Sequence, residues 1–164
     1  MPIKGNYHRF ASNIIPTQKK RLHSINHPKW VDSIIALIGK DSLFRWHDSG
    51  DIQSLNHLAK ICEIAIKMPN TKFWIPTREY KMISDYAKSN IIPSNLIVRL
   101  SAMFIDKAVK IPKSLQGLKN ITVSNVHTIK AIGVECESYK QGGKCLKCTK
   151  CWDVNYPTIS YKNH

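Results

Sequence analysis

Acidic residues are scarce in this chain: eleven Asp and Glu stand against twenty-five Lys and Arg among 164 residues, a formal net charge of +14. The shortage points away from cationic partners and toward a polyanion. Nucleic acid, gripped through phosphate contacts that weaken with salt, is the expected partner. Long apolar runs are also missing, and nothing approaches the ~18 or more residues of a membrane span. No apolar stretch near the N-terminus has the pattern of a secretory signal, and neither an amphipathic basic helix nor a lipid-anchor motif is present. A cytoplasmic location and no membrane partner are expected, in a compartment where disulfides are uncommon. Internal repeats and low-complexity segments are absent as well.

Cysteine is sparse but unevenly placed. Four of the five fall in the last thirty residues: Cys136, then Cys145, Cys148 and Cys151, with Gly142 and Gly143 just before the trio. Two consecutive Cys-x-x-Cys steps bring three sulfurs round one point, and Cys136 can fold back over the glycine pair as a fourth. Such soft ligands suit zinc or an iron–sulfur cluster, and Lys140, Lys144, Lys147 and Lys150 would help to hold them deprotonated. Structural zinc more often takes two separated Cys-x-x-Cys pairs, whereas three cysteines at this spacing follow the bacterial ferredoxin pattern, which favours a [4Fe-4S] cluster without excluding zinc. Trp152, directly after the last cysteine, is expected to cover the sulfurs. Cys62 lies in an apolar helical pattern and reads as a core residue.

Hydrophobic residues make up 43% of the chain, enough to build a core in one domain of this length. Residues 1–27 read as basic and irregular, with Lys19, Lys20 and Arg21 as a charge run and a candidate nucleic-acid contact alongside Lys144, Lys147 and Lys150. Pro28 opens a helix whose stripe (Trp30, Val31, Ile34, Ile35, Leu37, Ile38) stops at Gly39. A strand is predicted over 43–47, and a helix capped by Ser54 runs on to Pro69-Asn70. Residues 71–75 form a strand, Pro76-Thr77-Arg78 a turn and 79–88 a helix. Residues 96–100 and 121–124 supply two more strands, separated by a stretch with room for a short helix near Ile111-Pro112. Alternation of this kind predicts an α/β fold with a mainly parallel sheet and crossover helices, open or curved like part of a barrel. Residues 1–134 would form the α/β domain, and 135–164 a metal-binding tail packed on it, an appendage too rich in Lys and Gly to build its own core.

In parallel α/β folds, side chains at the carboxyl ends of the strands converge on one crevice. Here they are His47, Asp48, Ser49 and Asp51 after the first strand, then Thr77, Arg78 and Glu79, then Ser101, then Ser124, Asn125 and His127. Asp48, Asp51, Arg78 and His47 are the candidate catalytic residues, with the carboxylates as acid, base or nucleophile and the arginine as phosphate clamp. The competing reading makes Asp48 or Asp51 a turn or cap residue paired with Arg78. Trp46 and Trp74, at matched places on two strands, would either stack on a base or pack in the core.

Three blocks carry a family resemblance: Arg45-Trp46-His47-Asp48-Ser49-Gly50-Asp51, Lys72-Phe73-Trp74-Ile75-Pro76-Thr77-Arg78, and Cys145-x-x-Cys148-x-x-Cys151-Trp152. In order and spacing the chain resembles the phage protein family gene product 88. That resemblance implies a bacteriophage origin, hence a host-cell cytoplasm, and an α/β fold; it names no reaction. It also implies that longer relatives carry a further cysteine-rich segment ahead of Lys4-Gly5-Asn6-Tyr7, suited to a second metal or to a cluster of the type that cleaves S-adenosylmethionine, so that this chain is expected to be a shortened relative. Three functions remain open: a basic metalloprotein that binds nucleic acid, an enzyme acting on nucleic acid or a nucleotide through the strand-end pocket, and a phage inhibitor whose partner is a host defence protein.

Overall fold

Local chemistry sets where each helix begins and ends in the computed structural model, which describes residues 11–47 and 50–163. Helix α1 (Ala11–Ser24) falls in the segment expected to be irregular, which corrects that expectation. Its second half, Gln18-Lys19-Lys20-Arg21-Leu22, consists of good helix formers, and Arg21 and His23 sit favourably at the negative end of the helix dipole. Its stripe is too polar to be recognised by periodicity. Helix α2 (Trp30–Ile38) buries Trp30, Val31 and Ile38 and stops at Gly39, whose φ of +59° is open to a residue lacking Cβ. After strand β1 (Leu43–Arg45), the Ser54 hydroxyl accepts the His57 N–H at 3.1 Å and starts helix α3 (Leu55–Lys67).

Strand β2 (Lys72–Thr77) continues through Pro76, so the turn expected at Pro76–Arg78 lies later. The Trp46 N–H still donates to the Trp74 carbonyl at 2.8 Å, and the ladder with β1 stops at the next step, where Pro76 offers no N–H. Helix α4 (Tyr80–Ala87) leads to strand β3 (Leu96–Ser101). A single 3-10 turn (Lys113–Leu115) occupies the Pro-broken stretch before strand β4 (Ile121–His127). Two further strands follow: β5 (Val134–Glu135) straddles the expected boundary at residue 134, and β6 (Thr158–Lys162) comes from the segment expected as an appendage. The sheet order is β1-β2-β3-β4-β6-β5, every pair is parallel, and the six strands curl into a half-barrel. Strand β6 thus enters between β4 and β5, and the tail is woven into the sheet rather than laid upon it.

Register sorts the side chains into two faces. Phe73, Ile75, Leu96, Val98, Leu100, Ile121 and Val123 meet Leu58, Ile61, Cys62 and Ala65 of α3 and Ile83 of α4 in one core, with Trp30 and Val31 of α2. Cys62 is buried there, as its apolar pattern required. Trp46 belongs to this core, and Trp74 is equally buried on the opposite face, so neither ring is free to stack on a base. That opposite face carries Arg45, Trp74, Ile97, Arg99, Thr122, Ser124, Ile159 and Tyr161, and the cysteine-bearing segment packs over it. No helix among the described residues is long and apolar enough to cross a membrane.

Candidate metal centre

Among the described strand-end residues, hydrogen bonds form several local clusters. Asp51 fastens the loop after β1 to the end of β2: Oδ1 accepts from the Thr77 hydroxyl at 2.5 Å and from the Ile52 N–H at 2.7 Å, and Oδ2 accepts from the Arg78 N–H at 2.7 Å. Arg78 joins this cluster through its backbone, with an exposed side chain. Asp48 and Ser49 lie outside the described residues. His47 holds a left-handed φ of +54°, and its ring stands 5.6 Å from that of His57. Burial lowers the pKa of His47, against the opposing pull of the Asp51 charge. His57, whose Nδ1 accepts from the Gln53 N–H, is pushed down to about 4 by burial first and by His47 and Lys60 second. Both imidazoles are therefore neutral near pH 7.

At the end of β3 the Tyr80 hydroxyl donates to the Ser101 carbonyl. His127 is completely covered, with Nδ1 at 2.7 Å from Ser160 Oγ and Nε2 at 3.0 Å from Glu135 Oε1. The Ser160 hydroxyl donates to Asn125 Oδ1, and Tyr139 OH donates to Glu135. This serine, histidine and glutamate have the composition of a nucleophilic triad, yet Ser160 is fully buried and already bonded on all sides, which suits a polar seam joining β4, β5 and β6.

The cysteine segment has the most distinctive geometry. A cavity of about 280 Å³ is lined by all four of Cys136, Cys145, Cys148 and Cys151, together with Trp152 and Tyr156. Cys136 follows β5, and its N–H donates to the Ser160 carbonyl at 2.8 Å, so the sheet anchors one wall. Gly143 N–H closes on the Ser138 carbonyl, and the Cys148 N–H on the Cys145 carbonyl, while Leu146 between those cysteines takes a left-handed φ of +49°. Trp152 walls the other side: its indole N–H donates to the Phe44 carbonyl at 3.0 Å, and its ring meets Trp74 edge-on at 5.6 Å. Cys145 and Cys148 are exposed and Cys136 and Cys151 half-buried, and among the described residues no group of three or more His, Cys, Asp or Glu is gathered so as to hold a metal ion. The sulfurs share a cavity without closing on a point. As a donor set the four sulfurs still fit a thiophilic ion or cluster, with an aromatic wall against water.

Beneath the cavity lies a residue that sequence reasoning missed. Arg99, in the middle of β3, is 0% exposed. Its Nη1 donates to the carbonyls of Val123 at 3.0 Å and Tyr156 at 3.2 Å, its Nη2 donates to the Cys151 carbonyl at 3.3 Å, and its Nε has no partner. Burial pulls the Arg99 pKa down, opposed by Tyr161 and Cys151. Tyr161 OH stands 3.5 Å from Cys151 Sγ, and both groups are pushed upward chiefly by burial. An arginine inside Leu-Ile-Val-Arg-Leu was the available signal.

Of the basic candidates, Lys19, Lys20 and Arg21 lie exposed on α1. Lys144 and Lys147 are exposed beside the cysteines, and Lys150 Nζ sits 5.8 Å from the Tyr156 ring centre. No curated protein and no solved structure matches the chain. The family model described as Gene product 88 matches residues 4–154, a span that takes in the strand-end blocks and all four tail cysteines. With this fold and a match over nearly its whole length, the chain belongs to the phage Gene product 88 family.

Proposed function

We propose that this protein is a basic metalloprotein of a phage that binds nucleic acid, its four cysteines holding a thiolate-ligated metal group that pins the C-terminal segment to the sheet. The observation that carries this reading is the single cavity lined by Cys136, Cys145, Cys148 and Cys151. The spacing Cys145-x-x-Cys148-x-x-Cys151 follows the bacterial ferredoxin pattern more closely than the paired pattern of structural zinc, and a [4Fe-4S] cluster is therefore favoured over zinc. When bound, such a cluster supplies a one-electron centre as well as a crosslink. Nucleic acid follows from the net charge of +14 and from Lys144 and Lys147 exposed around the same segment.

Anaerobic purification followed by metal and sulfide analysis and an absorption spectrum tests the first half. Iron with sulfide and a brown colour is the expected result, zinc in a colourless sample would keep the site but change its occupant, and protein free of both would refute the metal reading. For the second half, binding to a labelled oligonucleotide is measured across a salt series. Affinity should fall about tenfold or more between ~50 and ~200 mM salt, because neutralised phosphates release counterions. A flat response, or no binding, removes nucleic acid from the function.

A further inference from the structure

We infer that the group bound by the four cysteines is anionic overall, and that Arg99 is the positioning residue that supplies its counter-charge; the inference rests on the metal reading proposed above. A guanidinium is always charged and offers five N–H donors. Here it is wholly buried, three carbonyls accept from it, and Nε has no partner. Carbonyl dipoles satisfy hydrogen bonds but do not neutralise a charge, and a buried unpaired cation is among the costliest things a fold can contain. Among the described residues no carboxylate pairs with Arg99. The acidic residues lining the cavity are otherwise engaged: Glu135 with His127 and Tyr139, and Glu137 near Lys140 at 4.0 Å.

Among the described residues, what remains to balance Arg99 is sulfur. Two of its three carbonyl partners, Cys151 and Tyr156, belong to the segment that lines the cavity, so the cation is tied to the cavity wall itself. Four thiolates on a divalent ion leave two negative charges, and a four-thiolate iron–sulfur cluster is anionic in the same way. A neutral assembly, with some sulfurs kept as thiols, would leave the arginine unbalanced. Tyr161, at 3.5 Å from Cys151 Sγ, adds a hydroxyl placed to donate to one of the sulfurs. Arg99 touches no metal-binding atom; it acts through the field beneath the ligands.

Cobalt(II) titration of metal-free, reduced protein provides the test, read by the near-ultraviolet thiolate-to-cobalt band, whose intensity scales with the number of thiolates bound. Wild type should show the band of four thiolates. Arg99→Met, which keeps the length and loses the charge, should weaken cobalt binding about 10–100-fold, as removal of supporting groups around metal ligands does. Arg99→Lys should stay within a few-fold of wild type. Far-UV circular dichroism checks that each variant is folded, and if Arg99→Met is not, the band intensity of wild type and the affinity of Arg99→Lys decide alone. Wild-type affinity in folded Arg99→Met, a band of only two thiolates in wild type, or a tenfold loss in folded Arg99→Lys would each overturn the inference. Failure of wild type to bind cobalt, zinc or iron at all would instead refute the metal reading.

Discussion

Replacing Asp51 separates a fastening role from a catalytic one. Its carboxylate accepts the Thr77 hydroxyl, the Arg78 N–H and the Ile52 N–H. Thr77 is 1% exposed, so in Asp51→Ala its hydroxyl stays buried without this acceptor, at a cost of about 1–3 kcal/mol. Ile52 is also buried, whereas Arg78 is exposed and its amide can turn to water; together they add about 1 kcal/mol. The expected loss is about 2–4 kcal/mol for Asp51→Ala and roughly half that for Asp51→Asn, which keeps one carbonyl oxygen but turns an amide N–H₂ toward a backbone donor. Urea unfolding followed by circular dichroism reads this as a lower midpoint at an unchanged slope. A double-mutant cycle with Thr77→Val should return a coupling of about 1 kcal/mol or more. Were Asp51→Ala to unfold within 0.5 kcal/mol of the parent, roughly the scatter of a surface change, the fastening argument would fail and a chemical role for the carboxylate would gain ground.

Acid should destabilise the fold between pH 6.5, the ordinary histidine value, and about 4, because His57 refuses in the folded state a proton that it accepts when unfolded. The stability from keeping His57 neutral is complete above 6.5 and lost as pH falls through that window; after allowance for solvent screening it amounts to roughly 1–2 kcal/mol, and His57→Gln should flatten the pH profile of unfolding. Cys62 should resist a thiol reagent in native, metal-free protein until unfolding exposes it, since burial lifts its pKa to about 11, while Cys145 and Cys148 react at once; rapid labelling of Cys62 would contradict its place in the core. Gly133→Ala should cost about 2–4 kcal/mol, since a Cβ at φ +94° would lie 2.6 Å from Thr158 of β6; thermal melts check it. Lys144→Ala and Lys147→Ala should each lower the slope of log affinity against log salt by about one, equally for all sequences; unchanged slopes would move the nucleic-acid contact elsewhere.

Strands β1 to β4 were legible because their runs are apolar on both faces, as a covered parallel sheet requires, and helices α2 and α3 because Gly39 and Ser54 mark ends that backbone chemistry demands. Helix α1 was not, because a helix with few apolar contacts leaves no stripe to find. Pro76 misled as a turn signal: proline can stand in a strand at the point where pairing on one side ends, and here the ladder with β1 stops beside it while the pairing with β3 runs on. Residues 158–162 alternate as a strand should, but the neighbouring cysteines made the whole segment read as an appendage. At the candidate site, the spacing led to an expectation of four sulfurs round one point, whereas they line one cavity without gathering there; Arg99 could not be read as special without knowing which face it occupies and what covers that face. His127 was selected as a strand-end group; only the pairing of β6 and β5 beside β4 revealed it as part of a buried seam with Ser160 and Glu135.

Insertion of β6 between β4 and β5 has a bearing on biosynthesis. Until Lys162 has left the ribosome, β4 shows a bare row of amides and carbonyls along one side, and Arg99 lacks the Tyr156 and Cys151 oxygens that hold it. At ~5–20 residues per second that interval lasts seconds, long enough for a nascent chain to pair wrongly with a neighbour. Native closure thus waits on a late-synthesised segment and depends on contacts as distant as Trp152 with Phe44. Overproduced protein should misassemble less when nascent chains are kept sparse, because wrong pairing needs a neighbour.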